Sequence, residues 1–203
     1  MNNIGIIAGG GKLPIIIGNN LIKKKFKVFF FVIEEFLNTI NYKDLDITII
    51  NLKSAKKIIE SLRAKNIDSI IMAGNIKRPS ITDLSFDFHT FKLAKNLLLN
   101  KTGDNSLLVS IKKYFMDNGF DYFNWKDYCP ELFANNDYLT KLKPTRKSRN
   151  NLKKALSVFK SFGEIDVGQS MIIQNQIVLG LEAVEGTDNL MIRCKDYKKS
   201  GDK

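Results

Sequence analysis

The feature that most constrains the fold is a short apolar segment, Ile4 to Ala8, that runs directly into three glycines at positions 9–11. A segment with helical character, Leu13 to Lys25, follows at once, and Pro14 is tolerated in the first turn of a helix. An apolar run without polar alternation is typical of a strand covered on both faces. A strand, a glycine turn and a helix in this order predict the start of an α/β fold.

The same alternation continues through the first half of the chain. Val28 to Ile33, Ile47 to Asn51 and Asp68 to Ala73 are predicted strands, and Ser54 to Lys65 has the periodicity of a helix. Strands that alternate with helices predict a parallel sheet with right-handed crossovers, and therefore a Rossmann-like domain. Two further helices are predicted at Phe88 to Asn100 and Asp104 to Asn118.

A smaller C-terminal α/β domain is predicted after a linker. Periodicity is weak from Asp121 to Leu142, which is typical of a connecting segment. We therefore predict a nucleotide-binding domain over residues 1–125, a linker over 126–147 and a partial C-terminal domain over 148–203. The elements predicted in that last domain are a helix at Asn150 to Phe162, strands at Met171 to Ile173 and Ile177 to Ala183, a tight turn at Asn175-Gln176 and a helix from Gly186 onward.

The charge of the chain bears on its partners. Lys and Arg number 32 against 21 Asp and Glu, which gives a formal net charge of +11, and eight basic residues without an acidic one lie between Lys141 and Lys160. Such a surface attracts polyanions, although a solvated helix face explains the same run. The run lacks interleaved aromatic residues and carries no RNA-binding signature, so we expect no nucleic-acid partner.

Several classes of site and location are disfavoured. Cys129 and Cys194 are far apart without C-x-x-C spacing and predict buried thiols, and the single His89 cannot support a histidine-rich metal centre. No apolar run approaches the roughly 20 residues of a membrane span, and the N-terminus lacks signal-peptide features. We expect a cytoplasmic protein whose basic face can touch the inner-membrane surface.

The glycine turn has two interpretations. Glycines between a strand and a helix let a phosphate approach the backbone and the unpaired N–H groups of the helix start. The turn does not match the dinucleotide-binding pattern, because Pro14 stands where the third glycine would be, and it lacks the Walker A lysine spacing. A phosphate-binding turn and a purely structural turn both remain open.

A second turn follows the predicted strand that ends at Ala73. Gly74 and Asn75 come first, then the cations Lys77 and Arg78. Asn75 can hydrogen-bond a base or a sugar and the cations can pair with phosphate, although a capped turn with solvated cations would look the same. Because parallel strands share one carboxyl edge, the two turns are expected to lie together.

A third segment, Glu182 to Asp188, places three carboxylates and a hydroxyl around Gly186. Oxygen ligands of this kind suit Mg²⁺ or Mn²⁺, and they can also hold sugar hydroxyls. The alternative is a charged turn that begins the next helix, with Thr187 as its N-cap and Asp188 near the helix dipole.

In order and spacing, these segments resemble the LpxI family of UDP-2,3-diacylglucosamine pyrophosphatases of lipid A synthesis. The resemblance covers nearly the whole chain and implies a Rossmann-like N-terminal domain, a smaller C-terminal α/β domain and a cleft between them for UDP-2,3-diacylglucosamine. Hydrolysis aided by Mg²⁺ or Mn²⁺ would give UMP and 2,3-diacylglucosamine 1-phosphate. The segments that carry the resemblance are Ile6 to Pro14, Ala73 to Asn75 with Arg78-Pro79, Gly103-Asp104, Asp166 to Gln169 and Glu182 to Asp188.

The resemblance also assigns roles to residues of this chain. Asp188 and Asp104 are the catalytic candidates, and Glu185 with Asp188 would bind the metal. The candidates for substrate binding are Gly9, Gly10, Gly11, Asn75, Arg78, Gln169 and Thr187.

One departure from the family pattern affects the expected activity. Family members continue well beyond the counterpart of Asp188, into a Val-Asp-Leu-Pro-type segment whose aspartate the mechanism needs, and no such segment precedes Lys203. We therefore expect a truncated gene product, a fragment or a degenerate copy, which turns over slowly and self-associates, as a homodimer for example, through the apolar surface of Ile177 to Ala183. The alternative is a non-catalytic remnant that binds uridine nucleotide.

Overall fold

The apolar segments of the first half form one sheet in the computed structural model, which describes residues 3–39, 42, 44–76, 104–134, 141–163 and 168–199. The strand order is β3-β2-β1-β4-β5, and every neighbouring pair is parallel. This confirms the predicted Rossmann-like sheet. The strands are β1 (Asn3–Ala8), β2 (Lys27–Ile33), β3 (Ile47–Ile50), β4 (Ser69–Ala73) and β5 (Asp121–Tyr122).

Helices cover this sheet on both faces. On one side α1 (Leu13–Lys23) packs Ile17 and Leu21 against the sheet. On the other side α2 (Ala55–Ala64) and α3 (Asp104–Asp117) contribute a second apolar cluster. Burial on both faces explains why β1 and β2 are apolar at almost every position.

Helix α1 ends two residues earlier than predicted, at Lys23. Lys25 adopts a left-handed backbone conformation, with φ of 67°. The N–H of Lys25 then donates to the carbonyl of Ile22, and the N–H of Phe26 donates to the carbonyl of Leu21. This backbone arrangement closes a helix by satisfying its last carbonyls.

Part of the segment with weak periodicity belongs to the first unit of the molecule, which comprises the described residues of 3–76 and 106–134. Strand β5 pairs with β4, and two short 3-10 helices follow at Lys126–Tyr128 and Pro130–Leu132. Cys129 between them is fully buried in the core. A two-residue strand and single helical turns are too short to produce a detectable period, so the sequence pattern does not reveal them.

The second unit comprises residues 104–105 and the described residues from 141 onward. Its elements are α4 (Arg146–Gly163), β6 (Met171–Gln174), β7 (Ile177–Leu181) and α5 (Thr187–Cys194). Strands β6 and β7 pair antiparallel through the predicted tight turn, where Asn175 and Gln176 have φ of 52° and 63°. Positive φ at both central residues is what a type I′ turn requires. The predicted smaller α/β domain is therefore confirmed.

The second unit has a thin core. Among its described residues, Leu190 and Cys194 are the buried apolar side chains. Both cysteines of the chain are free and buried, as predicted. None of the described helices has the length and apolar character to cross a membrane. The helix predicted at Phe88 to Asn100, with His89, lies outside the described residues.

Candidate functional site

The two glycine-containing turns meet at the carboxyl edge of the sheet, as predicted. The N–H of Gly10 donates to the carbonyl of Asn75 at 2.8 Å, and the N–H of Asn75 donates back to the carbonyl of Gly10 at 2.9 Å. The N–H of Gly9 donates to the carbonyl of Ala73. Strands β1 and β4 are neighbours here although β2 and β3 separate them in sequence. Ligands of doubly wound sheets bind at this point, where the strand order reverses.

Glycine is required where these turns touch. A side chain on Gly9 would place its Cβ 2.5 Å from the Asn75 carbonyl oxygen, and one on Gly74 would lie 2.6 Å from the Gly10 carbonyl oxygen. Gly74 also has φ of 94°, a region that other residues rarely adopt. The N–H groups of Gly9 and Gly10 already donate to protein carbonyls. These two glycines therefore determine the shape of the turn and do not donate to a ligand.

The start of helix α1, by contrast, is open. Lys12 occupies the N-cap position in a helical conformation, without a side-chain cap and without an acidic residue in the first turn. Within the described part of the chain, the N–H groups of Gly11, Lys12 and Leu13 have no hydrogen-bond acceptor. A cation at this end of a helix is unfavourable unless an anion accompanies it.

This arrangement suits a phosphate group. The open N–H groups and the helix dipole attract an anion, and the Lys12 ammonium adds a positive charge. We call these N–H groups and the Lys12 side chain the α1 cradle. Asn75 is exposed beside the neighbouring turn. Arg78 and Lys77 lie outside the described residues.

Sequence reasoning missed Lys12 as a site residue, and also an acidic pair at the end of β2. Glu34 and Glu35 directly follow that strand, and Asn51 Nδ2 donates to Glu34 Oε2 at 2.8 Å. In Rossmann-like domains a carboxylate about 20 residues after the glycine turn binds the ribose hydroxyls. That spacing is the signal that could have identified the pair.

The third predicted segment, from Glu182 to Asp188, forms the loop between β7 and α5, and we call it the carboxylate loop. The Thr187 hydroxyl donates to Glu182 Oε2 at 2.9 Å. Ser170 Oγ lies 3.1 Å from Thr187 Oγ1, and because Thr187 uses its proton on Glu182, Ser170 is the donor of this bond. The loop and the residues just before β6 are therefore joined by hydroxyl and carboxylate groups.

Arg193 supplies the cation of the carboxylate loop. Its Nη2 donates to Glu185 Oε1 at 2.5 Å and also to the carbonyl of Leu181. The hydrogen bond from Arg193 holds the pKa of Glu185 below its ordinary value and raises the pKa of Arg193. Ala183 also donates its N–H to Glu185 Oε2. The repulsion expected among the loop carboxylates is thus offset within the chain itself.

The interpretation of Thr187 as an N-cap is wrong. Helix α5 begins at Thr187, and its N-cap is Gly186, with φ of 79° and ψ of 163°. The Thr187 hydroxyl is occupied by Glu182, so it does not cap the helix. Asp188 lies in the first turn, where a negative charge is favourable. The side chains of Asp188 and Gln169 are exposed and make no hydrogen bond with the described residues, which leaves both available to a ligand.

The described residues do not assemble a metal centre. Across these ranges, no group of three His, Cys, Asp or Glu side chains is placed to hold an ion. Glu185, one of the two predicted metal ligands, is engaged by Arg193. Helix α3 begins at Asp104, the other catalytic candidate, whose side chain lies outside the described part of the structure.

Comparison with known proteins identifies related sequences. Residues 3–132 match the family model of the LpxI N-terminal domain, and residues 135–203 match that of the LpxI C-terminal domain. A protein of Caulobacter vibrioides, UDP-2,3-diacylglucosamine pyrophosphatase LpxI, is 29% identical over 203 residues. That alignment covers 98% of this chain and 71% of the relative.

Proposed function

The chain belongs to the LpxI family, and on that premise we propose that it hydrolyses the pyrophosphate bond of UDP-2,3-diacylglucosamine. The products are UMP and 2,3-diacylglucosamine 1-phosphate. The Caulobacter relative that carries the name of this activity supports the assignment.

The single observation that carries the proposal is the α1 cradle. Three N–H groups without an acceptor in the described part of the chain, together with the Lys12 side chain, lie at the start of α1, next to the point where the strand order of the sheet reverses. We place the diphosphate of the substrate there. The ribose hydroxyls then reach toward Glu34 or Glu35, and Asn75 hydrogen-bonds the base or the sugar. Gly9, Gly10 and Gly11 shape the turn, and Arg78 adds a charge that pairs with phosphate.

The reaction is a displacement by water at phosphorus. A bond forms between the water oxygen and one phosphorus, the bridging P–O bond breaks, and the bridging oxygen leaves with the other phosphoryl group. A carboxylate that accepts the water proton speeds such a step by about 10² to 10⁴-fold. We assign this role to Asp188 or Asp104, with Gln169 and Thr187 as substrate contacts.

We propose Mg²⁺ or Mn²⁺ as the metal ion, because the family resemblance implies it. When bound, such an ion offsets charge on the diphosphate. The described residues do not fit a resident ion, because Arg193 competes for Glu185. Asp188 is the exposed carboxylate of the loop that an added ion could reach.

The test is release of UMP from UDP-2,3-diacylglucosamine, with Mg²⁺, with Mn²⁺ and with chelator. Asp188→Asn should lower the rate by about 10²-fold or more if Asp188 takes the proton. Asp196→Asn is the matched control, because Asp196 is also exposed in the second unit and lies outside the carboxylate loop. A rate in Asp188→Asn equal to that of the control would remove Asp188 from the mechanism.

A second candidate function is uridine-nucleotide binding without catalysis. Two observations favour it. The α1 cradle lies wholly in the first unit, and the polar groups of the carboxylate loop are largely hydrogen-bonded within the chain itself. UDP binding in calorimetry without metal-dependent UMP release would support this function. Release of UMP would exclude it.

We further propose that the enzyme works in the cytoplasm at the surface of the inner membrane. The proposed substrate is diacylated and therefore resides in a bilayer, so the enzyme must approach the lipid surface to reach it.

A further inference from the structure

Helix α4 presents a stripe of cations and leucines that the proposed reaction does not use. Positions 149, 152, 153, 156 and 160 follow the spacing of one helix face. We call this set the α4 stripe. Its members, all exposed, are Arg149, Leu152, Lys153, Leu156 and Lys160.

The stripe borders the part of α4 that packs. Ala155, Val158 and Phe159 are half-buried, and α4 packs on β6. Leu152 and Leu156 lie on the adjoining arc of the helix and are 58% and 60% exposed. Two exposed leucines one turn apart, flanked by cations, form an amphipathic surface of the kind that binds a partner.

The surrounding charge indicates the sign of the partner. From Lys141 to Gly163 the chain has no acidic residue. Residues 141–163 carry eight Lys and Arg, whereas the rest of the chain carries 24 Lys and Arg against 21 Asp and Glu. The excess of positive charge is therefore concentrated in α4 and the segment just before it, and the partner of the stripe is anionic.

We infer that the α4 stripe docks the protein onto an anionic lipid bilayer. Leucines can enter the boundary between headgroups and acyl chains while Arg149, Lys153 and Lys160 contact the phosphates. A second copy of the chain is a poor occupant, because a two-fold contact would oppose like charges along the stripe. This inference rests on the proposed approach to the membrane surface, for which it names the contacting helix, and its test requires no turnover.

The test is cosedimentation of the full chain with vesicles of phosphatidylcholine alone and of phosphatidylcholine with about one-third phosphatidylglycerol. The triple variant Arg149→Gln, Lys153→Gln, Lys160→Gln should weaken binding to the anionic vesicles by at least about tenfold, since each cation near such a surface contributes several-fold. The matched control is Lys23→Gln, Lys24→Gln, Lys57→Gln, which removes three exposed cations from the first unit and should stay within about twofold of the parent.

A second variant tests the apolar part of the stripe. Leu152→Ser with Leu156→Ser keeps every charge, and both positions are exposed, so the fold should persist and circular dichroism will check it. This variant should bind anionic vesicles about fivefold or more weakly than the parent. The difference between variant and parent should persist at raised salt, because the lost contact is apolar. Failure of the parent to bind anionic vesicles would overturn the inference. Equal losses in the stripe and control triples would also overturn it, as would a leucine variant that only dissociates an oligomer in light scattering.

Discussion

The glycine turn of the first unit and the carboxylate loop of the second each lead from a strand into a helix. They differ in whether the chain itself supplies hydrogen-bond partners for their polar groups. At the turn, the N–H groups at the start of α1 have no acceptor within the described chain, and Lys12 places a cation where a helix disfavours one. At the loop, Glu182 accepts from Thr187 and Glu185 accepts from Arg193. Unpaired N–H groups beside a cation at a helix start can bind an anionic ligand, whereas side chains bonded to one another hold a loop in place.

The cores of the two units explain the difference. Apolar clusters on both faces of the five-stranded sheet fix the first unit, so the sheet edge is free to carry open polar groups. The described second unit buries few apolar side chains, and the network around Glu185 and Thr187 supplies part of its order. We therefore expect substitutions at the glycine turn to change ligand binding, and substitutions in the carboxylate loop to change stability.

The largest expected effect is on the core. Phe30 is fully buried in the first unit, and Phe30→Ala should lower the free energy of unfolding by about 3–5 kcal/mol. Leu156→Ala on the exposed stripe should change it by less than about 0.5 kcal/mol. Urea denaturation followed by circular dichroism measures both. Similar losses in the two variants would show that Leu156 is packed in an apolar core and does not lie on an exposed surface.

A pair of glycine substitutions sharpens the comparison at the two regions themselves. Gly74 and Gly186 both have positive φ, so alanine at either position should cost about 1–3 kcal/mol in backbone strain. Only Gly74 also abuts another backbone, at the Gly10 carbonyl oxygen. We therefore expect Gly74→Ala to be the more destabilising and to weaken UDP binding, whereas Gly186→Ala leaves UDP affinity unchanged. Loss of UDP affinity in Gly186→Ala alone would reverse the assignment of the two regions.

The smallest effect concerns pH. The bond from Arg193 lowers the pKa of Glu185 in the folded chain, so the ionised carboxylate stabilises the fold above its ordinary pKa of 4.5. That contribution is lost as the pH falls from 4.5 through the lowered value. Melting temperatures of the parent and of Glu185→Gln should therefore differ near neutral pH and converge in acid, with Asp196→Asn as a control that follows the parent. A constant difference across the range would show that the ion pair does not stabilise the loop.

The sheet and the carboxyl edge that carries the two turns could be predicted from the sequence, because both depend on local signals. Apolar runs without alternation gave β1, β2 and β4, and parallel pairing then brought Gly9 and Asn75 together. Sequence reasoning could not show that the N–H groups of Gly9 and Gly10 are consumed, since that depends on the register of β1 against β4. It also assigned the capping role to Thr187, because the bond from Thr187 to Glu182 depends on the tertiary fold of the carboxylate loop.

The central claim is that a uridine diphosphate group binds the α1 cradle, and calorimetry of UDP with Lys12→Glu tests it most directly. An acidic residue is favourable at a helix start, so the fold should be retained and any loss of affinity is a property of the site. Lys23→Glu, at the other end of the same helix, makes the same change in charge as a control. We predict that Lys12→Glu weakens UDP binding by at least about tenfold, or about 1.4 kcal/mol, while Lys23→Glu leaves it unchanged. Equal affinity for UDP in Lys12→Glu and the parent would contradict the claim.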